Sequence, residues 1–571
     1  MRAGLAKLVT PAIVTHGIGL REALGRTPAA PTEEALALLI SGVRLPSRDS
    51  VLPPLVSAKL GLPHHSVVEA TLLRVSLDAR SRPPTLLGNL RVELTPGLED
   101  AVLARGVPGV RAFTPRDAQR AALPGAWSIR ARSWTNGPRP IVVGAGPAGL
   151  FAAMRLAEAG ARPLLLERGQ PVHERRTQVA RYWTHGELDP ESNVVYGEGG
   201  AGTFSDGKIY TRLKDGRVGY VLSRLVKAGA DPGILVDAHP HIGTDRLRRV
   251  LVRFREQLLE LGAELRFGAR VEALLVHAGR CVGVRLGDGE EILGSPVVLA
   301  TGQAARDSIE AFLAAGMVAQ VRPFALGARI EHPREMVDRA RHGAAFDQLP
   351  AASYRLVAPD RRGQRKGYTF CMCPGGLVIP ASERQGHVVV NGMSSSQRAS
   401  RWSNAAVVVP VDQADYGADD ALAGLRFRDA IEQRAWELGG GGFAAPAQRV
   451  SDLLAGRASV DLPRTSHPRG VVPTHLAELL PRPVLQAMIA ALRAFDRELP
   501  GFAGSDAVLI APETRTASPV RFARDEQRQA LGLAGAYPVG EGMGWGGGII
   551  SAAVDGVRSA EAIEQASASS S

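Results

Sequence analysis

Three glycines in the run Gly144-Ala145-Gly146-Pro147-Ala148-Gly149 have the spacing that holds a diphosphate against backbone amides. Gly144 permits a tight turn, Gly146 lets the main chain approach the anion, and Gly149 lets a helix pack closely on a strand, with Ala148 beside them. Downstream, Glu167 can accept hydrogen bonds from a ribose diol, and its charge repels a 2′-phosphate; Arg168 is grouped with it. A second glycine-led helix start, built from Gly540, Glu541, Gly548 and Ile549, would direct its dipole at negative charge. The stretch 197–208 is too rich in glycine for a helix and too polar for a core strand. It reads as a loop wrapped around a ligand, with Gly200, Gly202, Thr203, Ser205 and Asp206 as contacts and Lys208 as a positive group. Thr301 and Gly302 end an apolar strand in a turn. His241 could act as a general acid or base, or serve only as a packed structural histidine. Arg515 could bind an acidic substrate or the cofactor, or pair with a nearby carboxylate. Cys371 and Cys373 resemble a redox pair, but a bridge over one intervening residue is strained. A structural or substrate-lining role is the expectation for them, and no metal site is expected.

These residues need elements to position them. An apolar strand, Pro140 to Val143, leads into the glycine motif. A helix, Leu150 to Ala159, and a second strand, Leu164 to Leu166, complete a βαβ unit. Short strands at Glu264 to Phe267, Arg270 to Val276, Cys281 to Leu286 and Glu290 to Leu293 predict a β-meander feeding the strand Pro296 to Leu299. That meander, together with the C-terminal return from Leu533 to Glu541 and the helix Ile549 to Gln565, favours FAD over NAD. Residues 1–135 are expected to form a small α+β domain and linker, with alternating strands at Leu39 to Leu45, Val68 to Leu77 and Leu87 to Leu94, helical segments at Leu52 to Leu60 and Leu98 to Arg105, and a linker from Thr114 to Pro140. Residues 136–320 read as the first part of an FAD-binding domain, 321–504 as a mixed substrate or cap domain, and 505–571 as the return segment, with a disordered tail from Ala566 to Ser571. The predicted fold class is therefore α/β, a Rossmann-like FAD-binding domain of the glutathione-reductase type with an inserted α+β substrate domain and a small N-terminal α+β domain.

The composition is that of a globular chain. Of the 571 residues, 45% are hydrophobic and 22% charged, with no long uncharged apolar run, so a membrane span is not expected. Met1 to Arg26 lacks a cleavage pattern and reads as an ordinary leader. Three cysteines cannot build a disulfide framework, which fits a reducing cytoplasm. The net charge of +11 is spread along the chain without an aromatic-and-basic cluster, so nucleic acid is not the expected partner.

Longer motifs then coincide: 197–208 as Gly-Glu-Gly-Gly-Ala-Gly-Thr-Phe-Ser-Asp-Gly-Lys, Pro240-His241-Ile242-Gly243-Thr244-Asp245, Cys371-Met372-Cys373-Pro374-Gly375-Gly376, Glu513-Thr514-Arg515-Thr516 and Tyr537-Pro538-Val539-Gly540-Glu541-Gly542. Over roughly Glu34 to Gln565 the chain resembles a family of bacterial FAD-dependent dehydrogenases, within the glutathione-reductase-like flavoproteins, whose substrates are largely unassigned. The resemblance implies bound FAD and redox chemistry but supplies no substrate. Met543-Gly544-Trp545 departs from the smaller residues expected there, so Trp545 beside the flavin could reshape the pocket. The expected activity is hydride exchange between flavin N5 and a small organic substrate. A flavin monooxygenase and an FAD-containing RNA-modifying or RNA-binding factor are the alternatives. No second GxGxxG follows a strand, so the electron donor or acceptor, NAD(P)H or a redox protein, has no Rossmann domain of its own here.

Overall fold

The computed structural model describes residues 37–78, 84–121, 134, 137–359, 365–417 and 420–569. The leader Met1 to Arg26 and most of the expected linker lie outside the described residues. The chain divides into two units. One comprises 1–130, 209–241 and 344–350, and the other 131–208, 242–343 and 351–571.

In the smaller unit an antiparallel sheet has the order Val67–Asp78, Thr85–Leu94, Leu38–Leu45, Val110–Ala112. Along Thr85–Leu94 buried and half-buried residues alternate, placing Leu86, Leu90, Val92 and Leu94 on one face. The helix Leu52–Leu60 covers that face through Val56 and Leu60. Three of these strands and the helix are those expected from the sequence, and Val110–Ala112 adds a fourth strand. The start of the expected linker is instead a helix, Pro115–Arg120. Thr114 and Asp117 cap it reciprocally and Pro115 opens it, signals strong enough to order a polar segment.

The larger unit contains two main sheets. The first is parallel, in the order Ala536–Pro538, Val297–Leu299, Ile141–Val143, Leu164–Leu166, Glu264–Arg266. Its three central strands are buried throughout, as a sheet covered on both faces requires. Glu264–Arg266 is a correction. Expected as the first meander strand, it follows the helix Thr244–Glu260 and pairs parallel with Leu164–Leu166, as a crossover helix demands. The meander itself has three strands, Val271–His277, Arg280–Leu286 and Glu291–Leu293.

The second sheet has the order Tyr368–Cys373, Trp402–Val411, Phe324–Pro333, Val508–Glu513, Ala445–Arg449, Val471–Pro473. Phe324–Pro333 lies at its centre and is buried along nearly its whole length. Val508–Glu513 joins this sheet from beyond residue 504, paired with Phe324–Pro333 on one side and Ala445–Arg449 on the other. The expected disordered tail is also corrected, because the C-terminal helix runs from Ile549 to Ser569. Its alanine-rich sequence favours the helix, and buried Ala560 and Ile563 anchor it. No helix among the described residues is long and apolar enough to cross a membrane.

Candidate functional site

The two glycine-led helix starts meet within the larger unit. The first opens the helix Pro147–Glu158 and the second opens Ile549–Ser569. Gly144 has φ +103°, and a Cβ there would lie 2.7 Å from the Ala300 carbonyl oxygen. A Cβ on Gly149 would lie 1.9 Å from the Gly144 oxygen, so helix and strand approach as the motif predicted. The C-terminal segment closes on the same place. A Cβ on Gly540 would lie 2.6 Å from that of Ala148, and one on Gly556 would lie 2.1 Å from the Ala148 oxygen. The loop 197–208 joins them, since a Cβ on Gly200 would lie 3.1 Å from Gly146 Cα and one on Gly202 would lie 3.2 Å from Ile549 Cγ1. A Cβ on Gly146, Gly302, Gly547 or Gly548 would meet nothing within 4 Å. Backbone there can be approached closely, and the first N–H groups of both helices lack intrahelical partners. Thr301 Oγ1 is buried without a hydrogen-bond partner among the described residues. Open backbone at two helix starts and an unpaired hydroxyl suit a dinucleotide.

Glu167 ties this region together. Its Oε2 accepts from Ala145 N at 2.7 Å, and its Oε1 accepts from Gly169 N and Gly197 N at 2.9 Å each. A carboxylate has about four acceptor positions, so one remains for a ribose hydroxyl. Arg168 is engaged by carboxylates. It donates to Asp307 at 3.1 and 2.8 Å and to Glu191 at 2.8 Å, and its guanidinium lies over the Tyr196 ring.

The polar side chains of the 197–208 loop are committed to protein partners. Thr203 Oγ1 donates to the Glu198 carbonyl at 2.9 Å, and Ser205 Oγ donates to the Gly202 carbonyl at 2.7 Å. Asp206 accepts from Ser394 and from Arg398 at 3.1 and 2.6 Å. Burial opposes its ionisation, but Lys208 and Arg398 outweigh it and hold its pKa below the usual range. Lys208 Nζ bonds the Met372 carbonyl and lies 3.8 Å from Asp206. The loop is pinned from beneath by Arg175, which is fully buried and donates to the carbonyls of Asn193, Val194 and Glu198. The polar side chains of the loop are thus used within the protein, and the sequence carried no signal for Arg175.

Beside the second helix start, Glu541 accepts from Gln303 Nε2 at 2.8 Å and from Gly548 N at 3.3 Å. Burial pushes its pKa up to about 7, only partly offset by the Gly548 N–H, Arg322 and Gln303. Gln303 also donates to the Arg515 carbonyl at 2.9 Å and receives Arg428 at 3.2 Å. The Arg515 guanidinium is taken up by two buried carboxylates, Glu383 at 2.5 Å and Glu432 at 2.8 Å. Of the roles weighed for it, the geometry has the ion pair. Burial opposes ionisation of Glu432, but Arg515 and Arg428 hold it down to about 2. Gln303, Glu383, Arg428 and Glu432 escaped sequence reasoning because no motif spacing links them.

The raised carboxyl has a thermodynamic signature. Folded, Glu541 keeps a proton that the unfolded chain releases near its ordinary 4.5, so its contribution is fully present below about pH 4.5 and is lost as pH rises through about 7. The loss is about 3 kcal/mol at most. Glu541→Gln is expected to remove it, so urea unfolding of the flavin-stripped chain should show the variant gaining on the parent between pH 5 and 8. Parallel pH profiles would contradict this.

His241 is the last residue of the smaller unit's 209–241 segment. Trp545 is held by its indole N–H on the Phe522 carbonyl at 2.8 Å, with Arg521 and Arg524 over its ring.

Residues 138–316 match the family profile described as pyridine nucleotide-disulphide oxidoreductase, and 323–516 match one described as FAD-dependent protein, C-terminal domain-like. An uncharacterized protein of Clostridium beijerinckii is 36% identical over 534 residues, covering 92% of this chain and 98% of the relative. Protein FixC of Escherichia coli K12 is 30% identical over 209 residues, so the match spans 35% of this chain and 44% of FixC. Among solved structures, the flavin-dependent brominase Bmp2 aligns at TM-score 0.35 and 13% identity over 76% of this chain and 80% of that one, too distant to bear on activity. On the two matched profiles and the relative aligned over nearly its whole length, the chain belongs to a bacterial family of FAD-dependent oxidoreductases.

Proposed function

We propose that this chain exchanges a hydride between flavin N5 and a small organic substrate, with Glu541 holding or releasing the accompanying proton. Bound FAD would supply the two-electron chemistry. Gly144, Gly146, Ala148, Gly149, Gly540, Gly548 and Ile549 would hold its diphosphate, Glu167 its ribose, and Gly200, Gly202, Thr301 and Gly302 its flanks. The observation that carries the reading is the Glu541 carboxyl, poised near neutrality at a glycine-led helix start and fixed by Gln303. A proton-transfer group works best when its pKa lies near the working pH. The Gln303, Arg515 and Glu432 chain positions that carboxyl without touching substrate. Residues 323–516 would form the substrate side, and a redox partner or NAD(P)H would close the cycle.

Anaerobic mixing of the flavin-loaded enzyme with candidate alcohols, amines and activated alkenes tests the proposal. A true substrate is expected to bleach or restore the flavin absorbance, with transfer of deuterium from the labelled carbon position. In a separate aerobic run under ¹⁸O₂ with a reductant, product carrying an oxygen atom from O₂ would instead assign a monooxygenase.

A further inference from the structure

The strand Tyr368–Cys373 does not run regularly to its end. Its pairing with Trp402–Val411 shifts register between Phe370 and Cys373, so Cys371 and Met372 form a bulge, and Cys371 takes φ +44°, in the left-handed region. A non-glycine residue pays about 1–2 kcal/mol for that conformation. The bulge folds the short Cys-Met-Cys turn back on itself, and the Cys373 thiol donates to the Cys371 carbonyl oxygen at 3.5 Å. Cationic groups brace both sides: Arg329 Nη1 bonds the Cys371 carbonyl at 2.9 Å and lies 4.0 Å from Cys373 Sγ, and Lys208 bonds the Met372 carbonyl. Cys371 is half-buried, whereas Cys373 and Cys281 are buried.

We propose that Cys371 and Cys373 form a thiol–disulfide exchange site, with Cys371 as the attacking thiol and Cys373 as the resolving one. The thiolate is the nucleophile, neighbouring cations favour it, and of the two sulfurs only that of half-buried Cys371 can be reached from outside. The adjoining Cys373 side chain, followed by Lys208 and Arg329, holds the Cys371 pKa well below the ordinary thiol value against burial, and the negative charges nearby belong to Glu513 and Glu541. Cys373 is pushed the other way by the Cys371 side chain and by burial, so it keeps the proton. The substrate class is a small disulfide. The Cys371 thiolate attacks one sulfur, a mixed disulfide forms and the first thiolate leaves. Cys373 then loses its proton to water and attacks the Cys371 sulfur, expelling the second thiolate. The site is oxidised by two electrons to a Cys371–Cys373 disulfide, and the substrate is reduced to two thiolates. A ring closed over a single residue is strained, which makes the bridge easy to reduce again, as an exchanging site requires.

The test uses the full chain, with flavin and after stripping, so its outcome is independent of the hydride-transfer reading. The aromatic disulfide dithiobis(nitrobenzoate) is added under native conditions at neutral pH, and the coloured thiolate and the intact mass are measured. The expected result is two thiolates released per chain with no retained adduct, and a Cys371–Cys373 cross-link on peptide mapping. Cys373→Ser is expected to release one and keep the adduct on Cys371, and Cys371→Ser to release none. Should a variant fail to fold, mapping of the unmodified chain decides. A retained adduct in the unmodified chain, reaction first at Cys373 or Cys281, or no release at all would overturn the proposal.

Discussion

Replacing Gly146 with valine is expected to yield a folded chain that purifies without flavin. Gly146 has φ −75°, which valine adopts freely, and a Cβ there meets no protein atom within 4 Å, so the fold has no reason to fail. The branched side chain instead fills the place where a diphosphate would approach the amides of the helix start. FAD affinity is expected to fall at least about 100-fold, or roughly 3 kcal/mol, with little change in unfolding temperature of the flavin-free chain. Gly149→Val makes the contrast, because its Cβ would lie 1.9 Å from a carbonyl oxygen and the chain should lose stability as well as flavin. The flavin-to-protein absorbance ratio and a thermal melt separate the two. Full flavin content in Gly146→Val would show that the motif does not hold the cofactor.

The second large effect belongs to Arg329, which is fully buried in the second sheet. Its guanidinium donates to Glu513 at 2.7 Å, to Asn404 and Asn391 at 2.9 Å each, and to the Cys371 carbonyl. Arg329→Met leaves Glu513 buried without its counter-charge, which costs about 3–5 kcal/mol. Burial already pushes the Glu513 pKa up with Arg329 in place, so the orphaned carboxyl would take a proton. Adding Glu513→Leu is expected to return part of the loss, because removing both charges avoids the uncompensated one. Urea unfolding measures each step. A single variant within about 1 kcal/mol of the parent would contradict the account of this pair.

The cofactor cradle was the most legible part of the sequence because its constraints are local. Gly149 is required by its contact with Gly144 five residues earlier, and Gly144 by the φ of +103° in its own turn, so their spacing is visible in the sequence. The strand Glu264–Arg266 was misplaced because a three-residue edge strand has too few positions to show whether it pairs parallel or antiparallel. Only the amphipathic helix Thr244–Glu260 before it settles the matter. The tail was misread for the opposite reason: Ala and Ser repeats look featureless, yet they extend a helix already anchored by Ala560 and Ile563. The buried polar clusters were not legible. Arg515 meets Glu383 and Glu432, and Arg329 meets Glu513, across separations fixed only by how the second sheet folds. Charge type alone does not tell a buried pair from a solvated surface residue.

Amide hydrogen exchange with and without FAD tests most directly whether two distant helix starts share one diphosphate. Adding FAD to the stripped chain is expected to slow exchange together at 144–149 and at 547–551, with the two segments protected over the same FAD concentration range. Protection confined to one of them, or appearing in the two at different concentrations, would contradict a shared site.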